Sequence, residues 1–154
     1  MTVIVGTSAA DEQAGPIREA RRLAAGLGEP LHVVHVYSEA EFETATTGED
    51  GGARAFGEVR ADAEAVAEAA LRAALGDASE DGGVFEPPVE AVGLVGDPAT
   101  ELVEHATHAD ASLLVVGGRR RSPVGKAIFG SITQDVLFEA DCPVVACFDA
   151  VEDD

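Results

Sequence analysis

The chain has 154 residues, 29 acidic and ten basic, for a formal net charge of -19. That length suits one domain able to bury roughly two-thirds of its unfolded surface, and no apolar run approaches the roughly 18 residues of a membrane span. Met1-Thr2 leads straight into an apolar run with no leader-like stretch, so a cytoplasmic protein that repels nucleic acid and anionic membrane is expected.

The first elements read clearly in chain order. Val3-Ile4-Val5 is a short buried strand, and Ser8 to Asp11 is a polar turn. Ile17, Ala20, Leu23, Ala24 and Leu27 recur at helical spacing and point inward, with Gly28 ending the helix. Leu31 to Tyr37 is β-branched and apolar enough for a strand buried on both faces. Ser38 to about Arg54 is an acidic surface loop, since it lacks apolar periodicity. Phe56, Val59, Ala63, Val66, Ala70, Leu71 and Ala74 then mark a second helix, closed by Gly76.

Val89 to Val95 makes a third strand, and Gly96-Asp97-Pro98 supplies an N-cap and an N1 proline for a helix that turns Ala99, Leu102, Val103 and Ala106 inward. A fourth strand spans Leu113 to Val116 and breaks at the pair Gly117-Gly118. A fourth helix runs from Ser131 to about Glu139, and a fifth strand from Pro143 to Phe148. Such alternation predicts an α/β fold: a single doubly wound five-stranded parallel sheet, helices on both faces, within a domain of residues 1–150 followed by the acidic tail 151–154.

One segment reverses the sign of the chain. Between Ala111 and Gln134 there is no Asp or Glu, yet the segment holds Arg119, Arg120, Arg121 and Lys126, four of the ten basic residues, together with Gly117, Gly118, Gly125 and Gly130. A strand, a glycine-rich loop and a helix start are thus joined by concentrated cations. Free N–H groups at a helix start and glycines that admit close approach suit an anion, phosphate first among them. Glycines also serve plain chain reversal, and arginine-rich loops are often only solvated.

The stretch VVGGRRRSPVGKAIFGSITQDVLFEADCPVVAC resembles the C-terminal signature of the universal stress protein family. Gly96-Asp97-Pro98-Ala99, the second strand ending in His35-Val36, and Asp141-Cys142-Pro143-Val144 carry the likeness across essentially the whole chain. The resemblance implies a Rossmann-like fold of the adenine nucleotide alpha hydrolase type, and ATP or a related nucleotide as ligand, with Mg²⁺ an optional companion. It places adenine against Val36, ribose near Thr7 and Ser8, and phosphates over Gly117, Gly118, Gly130, Ser131 and Ile132, with Gly6 and Val116 beside them. In the ATP-binding branch the loop runs Gly, two residues, Gly, nine residues, Gly, then Ser or Thr. Gly117 and Gly130-Ser131 match that pattern, but Arg120 stands at the second glycine, where its fork could clamp phosphate. Ser8 stands where that branch has a ribose-binding aspartate, and offers one neutral hydroxyl in place of a carboxylate.

The resemblance also implies a stress-response protein that acts by binding and signalling, with at most slow ATP hydrolysis, and a homodimer formed through the last strand, Val144 to Phe148. A nucleotide-free interaction module of the same fold is the alternative that Arg120 and Ser8 favour, and a small-anion sensor using Gly130-Ser131 and the arginines is a third. A single lysine against 29 acids reads as adaptation to a high-salt cytoplasm, where salt screens self-repulsion.

Other chemistries find less in the sequence. No Gly-x-Ser-x-Gly elbow or distinct acid pair is present, so no catalytic residue is assigned. Cys142 and Cys147, five residues apart on one apolar segment, fall on opposite faces of a strand and are expected to be buried reduced thiols. His32 and His35 face opposite sides of theirs. His105 and His108 share a helical face with Glu101 and Glu104, read here as solvated because no further element visibly converges on it, so no metal is expected.

Overall fold

Strand and helix alternate as the switching apolar periods predict. The structure, a computed structural model, describes residues 1–7, 14–38, 56–76, 87–118 and 131–148, so the acidic loop beyond Ser38 and the tail 151–154 lie outside the described residues. The order is β1 (Thr2–Thr7), α1 (Ala14–Leu27), β2 (Leu31–Tyr37), α2 (Phe56–Leu75), β3 (Val89–Val95), α3 (Pro98–His108), β4 (Ala111–Gly118), α4 (Ser131–Glu139) and β5 (Val144–Phe148). All strands run parallel in one sheet of order β3-β2-β1-β4-β5. The chain steps outward from β1 to β3 and then returns to β4 beside β1. The sheet's topological switch point is therefore between β1 and β4.

Successive strand residues face opposite sides, and each face has its own core. Val3, Val5, Leu31, Val33 and Val115 pack under α1 and α2, while Ile4, Val34, Val36, Leu114 and Val116 pack under α3 and α4. Burying both faces explains why the central strands are apolar without a polar alternation.

Helix ends follow local chemistry. Gly28 adopts φ 70, its N–H reaches Ala25 O, and the Glu29 N–H reaches Ala24 O, a Schellman closure of α1. Asp97 caps α3, accepting from Thr100 N–H at 3.1 Å and from its hydroxyl at 2.9 Å, with Pro98 in the first turn. Leu27, expected inward, is 53% exposed instead. It is the last residue of α1 before the chain turns away at Gly28, so no facing layer covers it.

On α2 the buried stripe is Val59, Ala63, Ala67, Leu71 and Ala74, at steps of four and three. Val66 and Ala70, expected in the core, are only half-buried, and Ala67 takes their place. The seat of this helix is Gly93 of β3, where a Cβ would lie 2.2 Å from Glu64 N and 2.3 Å from Arg60 O. Only a residue without a side chain lets helix backbone approach the sheet so closely.

Two strands run further than their apolar runs predict. Gly6 and Thr7 complete β1, and Gly117-Gly118 complete β4 as register partners of Cys147 and Phe148 in β5. The glycine pair ends the strand and does not interrupt it.

Candidate functional site

Strand pairing creates the site. β1 stays in register with β2 as far as Thr7 and His35, but its pairing with β4 ends at Val5 and Val115. Gly6 and Thr7 on one strand and Val116, Gly117 and Gly118 on the other therefore continue past their last shared pair. They part at the carboxyl ends of the strands, at the switch point, where open α/β sheets place their ligand crevice.

Three of the expected binding positions share its wall. Val36 and Val116 belong to the core cluster under α3 and α4, and a Cβ at Gly6 would meet Leu102 Cδ1 of α3 at 3.0 Å. The missing side chain at Gly6 lets Leu102 lie against the sheet between them. Thr7 is braced from β2: His35 Nδ1 donates to Thr7 O at 2.9 Å. A carbonyl can only accept, so the ring proton sits on Nδ1. His35 is 6% exposed, its Nε2 has no hydrogen-bond partner among the described residues, and its ring meets Tyr37 edge-on.

The far wall is set by α4. Thr133 is buried in its first turn and donates its hydroxyl to Gly117 O at 3.0 Å. This bond holds the first turn of α4, including Ser131 and Ile132, beside the end of β4. The first backbone N–H groups of a helix have no partner within it, and here they accompany the partial positive end of the helix dipole. Ile132 is 46% exposed. Ser8, Arg120 and Gly130 lie outside the described residues, as do Arg119, Arg121 and Lys126.

The described arginines are engaged elsewhere. Arg18, Arg21 and Arg60 donate to the carbonyls of Ala74, Pro87 and Gly93, while Arg22 pairs with Glu19 and Arg72 with Glu68. Among the described residues, positive potential at the carboxyl ends of β1 and β4 therefore comes from helix N-termini.

The polar face assigned to His105 and His108 needs correction. His105 Nε2 lies 3.0 Å from His32 Nδ1 of β2, and Glu90 of β3 approaches His32 Nε2 at 3.5 Å, so two further elements do converge on it. Burial lowers the pKa of both rings, opposed at His32 by Glu90 and reinforced at His105 by His32, His108 and Arg60. Among the described residues no three His, Cys, Asp or Glu side chains gather as a metal site. Cys142 and Cys147 pack toward opposite faces, as their spacing predicts, but both are half-buried where burial was expected. Strand β5 lies at the sheet edge, which leaves these positions partly uncovered. Burial raises the Cys142 thiol pKa, with Asp141 adding to the rise and a backbone hydrogen bond opposing it.

Three contributions to the crevice went unread in the sequence: Thr133, His35 as the brace of Thr7, and Leu102 opposite Gly6. The one available signal was Thr133 itself, a hydroxyl in the first turn of a helix, where such groups commonly bond nearby backbone.

Residues 1–147 match the family model described as the universal stress protein family. The chain belongs to that family. A universal stress protein of Mycolicibacterium smegmatis is 46% identical over 68 residues, covering 44% of this chain and 50% of that relative. The curated relatives it matches are covered over half their length or less. Among solved structures, a universal stress protein from Archaeoglobus fulgidus is 27% identical, covers 95% of this chain and 97% of its own, and superposes with a TM-score of 0.63. The universal stress protein from Archaeoglobus fulgidus in complex with dAMP (21% identical, 95% and 96% covered) and another universal stress protein, solved in complex with cAMP (22% identical, 97% and 98% covered), each give a TM-score of 0.57. Universal stress proteins thus share the five-stranded parallel architecture described above.

Proposed function

We propose that this universal stress protein binds an adenine nucleotide in the crevice between β1 and β4, and acts in stress response through partner contacts that the nucleotide modulates. Adenine lies against Val36, the sugar against Thr7 and Ser8, and the phosphates over Gly117, Gly118, Gly130, Ser131 and Ile132, with Arg120 as a clamp. The observation that carries this reading is the parting of β1 from β4 after Val5 and Val115, with the first turn of α4 tied beside it by Thr133 and Gly117. Support also comes from the two structural neighbours solved with dAMP and cAMP, since adenine and at least one phosphate are common to those ligands and to ATP. The reading is one of binding without dedicated turnover, with Mg²⁺ accompanying a triphosphate where one binds.

The test is direct. Protein purified from cells is heat-extracted and the released small molecules identified by mass spectrometry, then AMP, cAMP and ATP are titrated by calorimetry in high salt. Release of an adenine nucleotide together with saturable heat is expected. No release and no heat for any of the three would overturn the reading.

A second reading, a homodimeric interaction module, has its own support. β5 is an edge strand whose Val144, Val145, Ala146 and Cys147 are only half-buried, and Phe138 of the preceding helix is 87% exposed. An open apolar edge is relieved by a symmetric copy. Light scattering is expected to return twice 15.8 kDa, and a monomer mass at micromolar concentration would refute the dimer. We further propose that the excess of acid adapts the chain to concentrated salt in the cytoplasm.

A further inference from the structure

Histidines from two elements meet on the sheet face beneath α3. Near the start of β2, His32 Nδ1 lies 3.0 Å from Nε2 of His105 in the last turns of α3. The ring centroids are 5.3 Å apart, which is that contact plus one ring radius at either end. The two nitrogens therefore point at each other along the line of centres. Rings that chelate a metal turn their lone pairs toward a common third point, whereas collinear nitrogens share a proton.

We propose that the His32–His105 contact is a proton-operated latch, which holds the C-terminal half of α3 on β2 and opens when both rings are charged. It does not rest on the nucleotide reading. The Glu90 carboxylate, 3.5 Å from His32 Nε2, favours a proton on that nitrogen, so Nδ1 accepts and His105 Nε2–H donates. One added proton is tolerated. His32 as imidazolium donates from Nδ1 to a His105 whose own proton has moved to Nδ1, and Glu90 balances the charge. A second proton sets N–H against N–H with no acceptor between them, and both positive rings repel across a half-buried gap.

The surroundings fix the direction of the switch. From β3 comes Glu90; from α2, Arg60 acts on His105; on α3 itself His108 is exposed, its Nδ1 donating to Glu104 O. Glu101, Glu104 and Asp97 are the carboxylates of α3 and its cap, and α4 brings only Asp135 and Glu139, both exposed. β1 and β4 carry no ionisable side chain, and the other histidine of β2, His35, lies on the opposite face against Thr7 and Tyr37. Burial and positive neighbours both disfavour the doubly charged pair, so the latch is closed at neutral pH and opens in acid.

Nitrogen-15 NMR of the imidazole rings in the full chain, with amide hydrogen exchange, tests this across the window of about pH 8 to pH 5 in which imidazole charge changes. A scalar coupling between His32 Nδ1 and His105 Nε2 is expected at neutral pH and is lost in acid. Over the same change, exchange of the Leu102–His108 amides relative to those of β1 is expected to rise roughly tenfold, the factor carried by one unit of pKa displacement. His105→Gln keeps an N–H donor at the ε position and cannot take a proton, so it retains the neutral-pH protection and loses the acid response. Absence of coupling in the unsubstituted chain at neutral pH, or an acid response that survives in H105Q, overturns the latch. The coupling is read without any variant, so a substitution that fails to fold leaves the decision intact.

Discussion

Thr133 donates its hydroxyl to the carbonyl of Gly117, joining the first turn of α4 to the last residues of β4 across 3.0 Å. Thr133→Val keeps the shape and removes the donor, leaving the Gly117 carbonyl without this bond. A loss of about 1 kcal/mol is expected in urea denaturation, with weaker adenine nucleotide binding by calorimetry. Unchanged affinity in a folded T133V protein would separate the helix start from the binding site.

Gly93 and Gly6 predict unequal costs for the same substitution. At Gly93 the added methyl would strike backbone of α2, which cannot turn aside, while at Gly6 it would press the end of the flexible Leu102 side chain. Gly93→Ala is expected to destabilise by about 3 kcal/mol, the upper range for overpacking. Gly6→Ala is expected to cost clearly less in the same denaturation series. Equal costs would refute the ranking.

Asp97 caps α3 through both the N–H and the hydroxyl of Thr100. Asp97→Ala is expected to lower stability by about 1 kcal/mol, while Asp97→Asn retains most of it. Circular dichroism melts of the two variants check the difference.

Acid is expected to weaken the fold through the histidine pair. Burial holds both His32 and His105 below the ordinary imidazole value, so unfolding takes up protons. The stability contributed by the pair is present in full above about pH 6.5, the unfolded value, and is lost as pH falls through the folded values. The urea midpoint is expected to fall with pH across that window, and His105→Gln to flatten the fall. Parallel curves for the two proteins would sink this assignment.

With a formal net charge of -19, the folded chain repels itself in dilute buffer. Molar KCl is expected to raise the melting temperature well beyond its effect on a near-neutral domain. A melt unaffected by salt would contradict the proposed adaptation.

Elements with strong local causes were legible before any coordinates. The alternation of periods foretold the parallel sheet; Gly28 and Gly76 ended their helices; Asp97-Pro98 marked the start of α3; and Val89–Val95 matched its strand end for end. What escaped depended on partners distant in sequence. The reach of β1 and β4 through Gly6, Thr7 and Gly117-Gly118 follows from pairing with neighbouring strands, which no single run reveals. The meeting of His32 with His105 likewise required the crossing of α3 over β2. At the crevice, Val36, Gly6 and Val116 could be brought to one wall by alternation alone, but the tie between Thr133 and Gly117 needed the geometry of the following helix.

With Arg18, Arg21, Arg22, Arg60 and Arg72 engaged by carbonyls and neighbouring acids, the formal net charge of -19 repels an anion approaching the proposed nucleotide site. Most nucleotide sites capture ligand more slowly as ionic strength rises, because counterions blunt a long-range attraction. Here counterions would instead mute a barrier that a nucleotide approaching the proposed site must cross, so stopped-flow association is expected to accelerate with KCl.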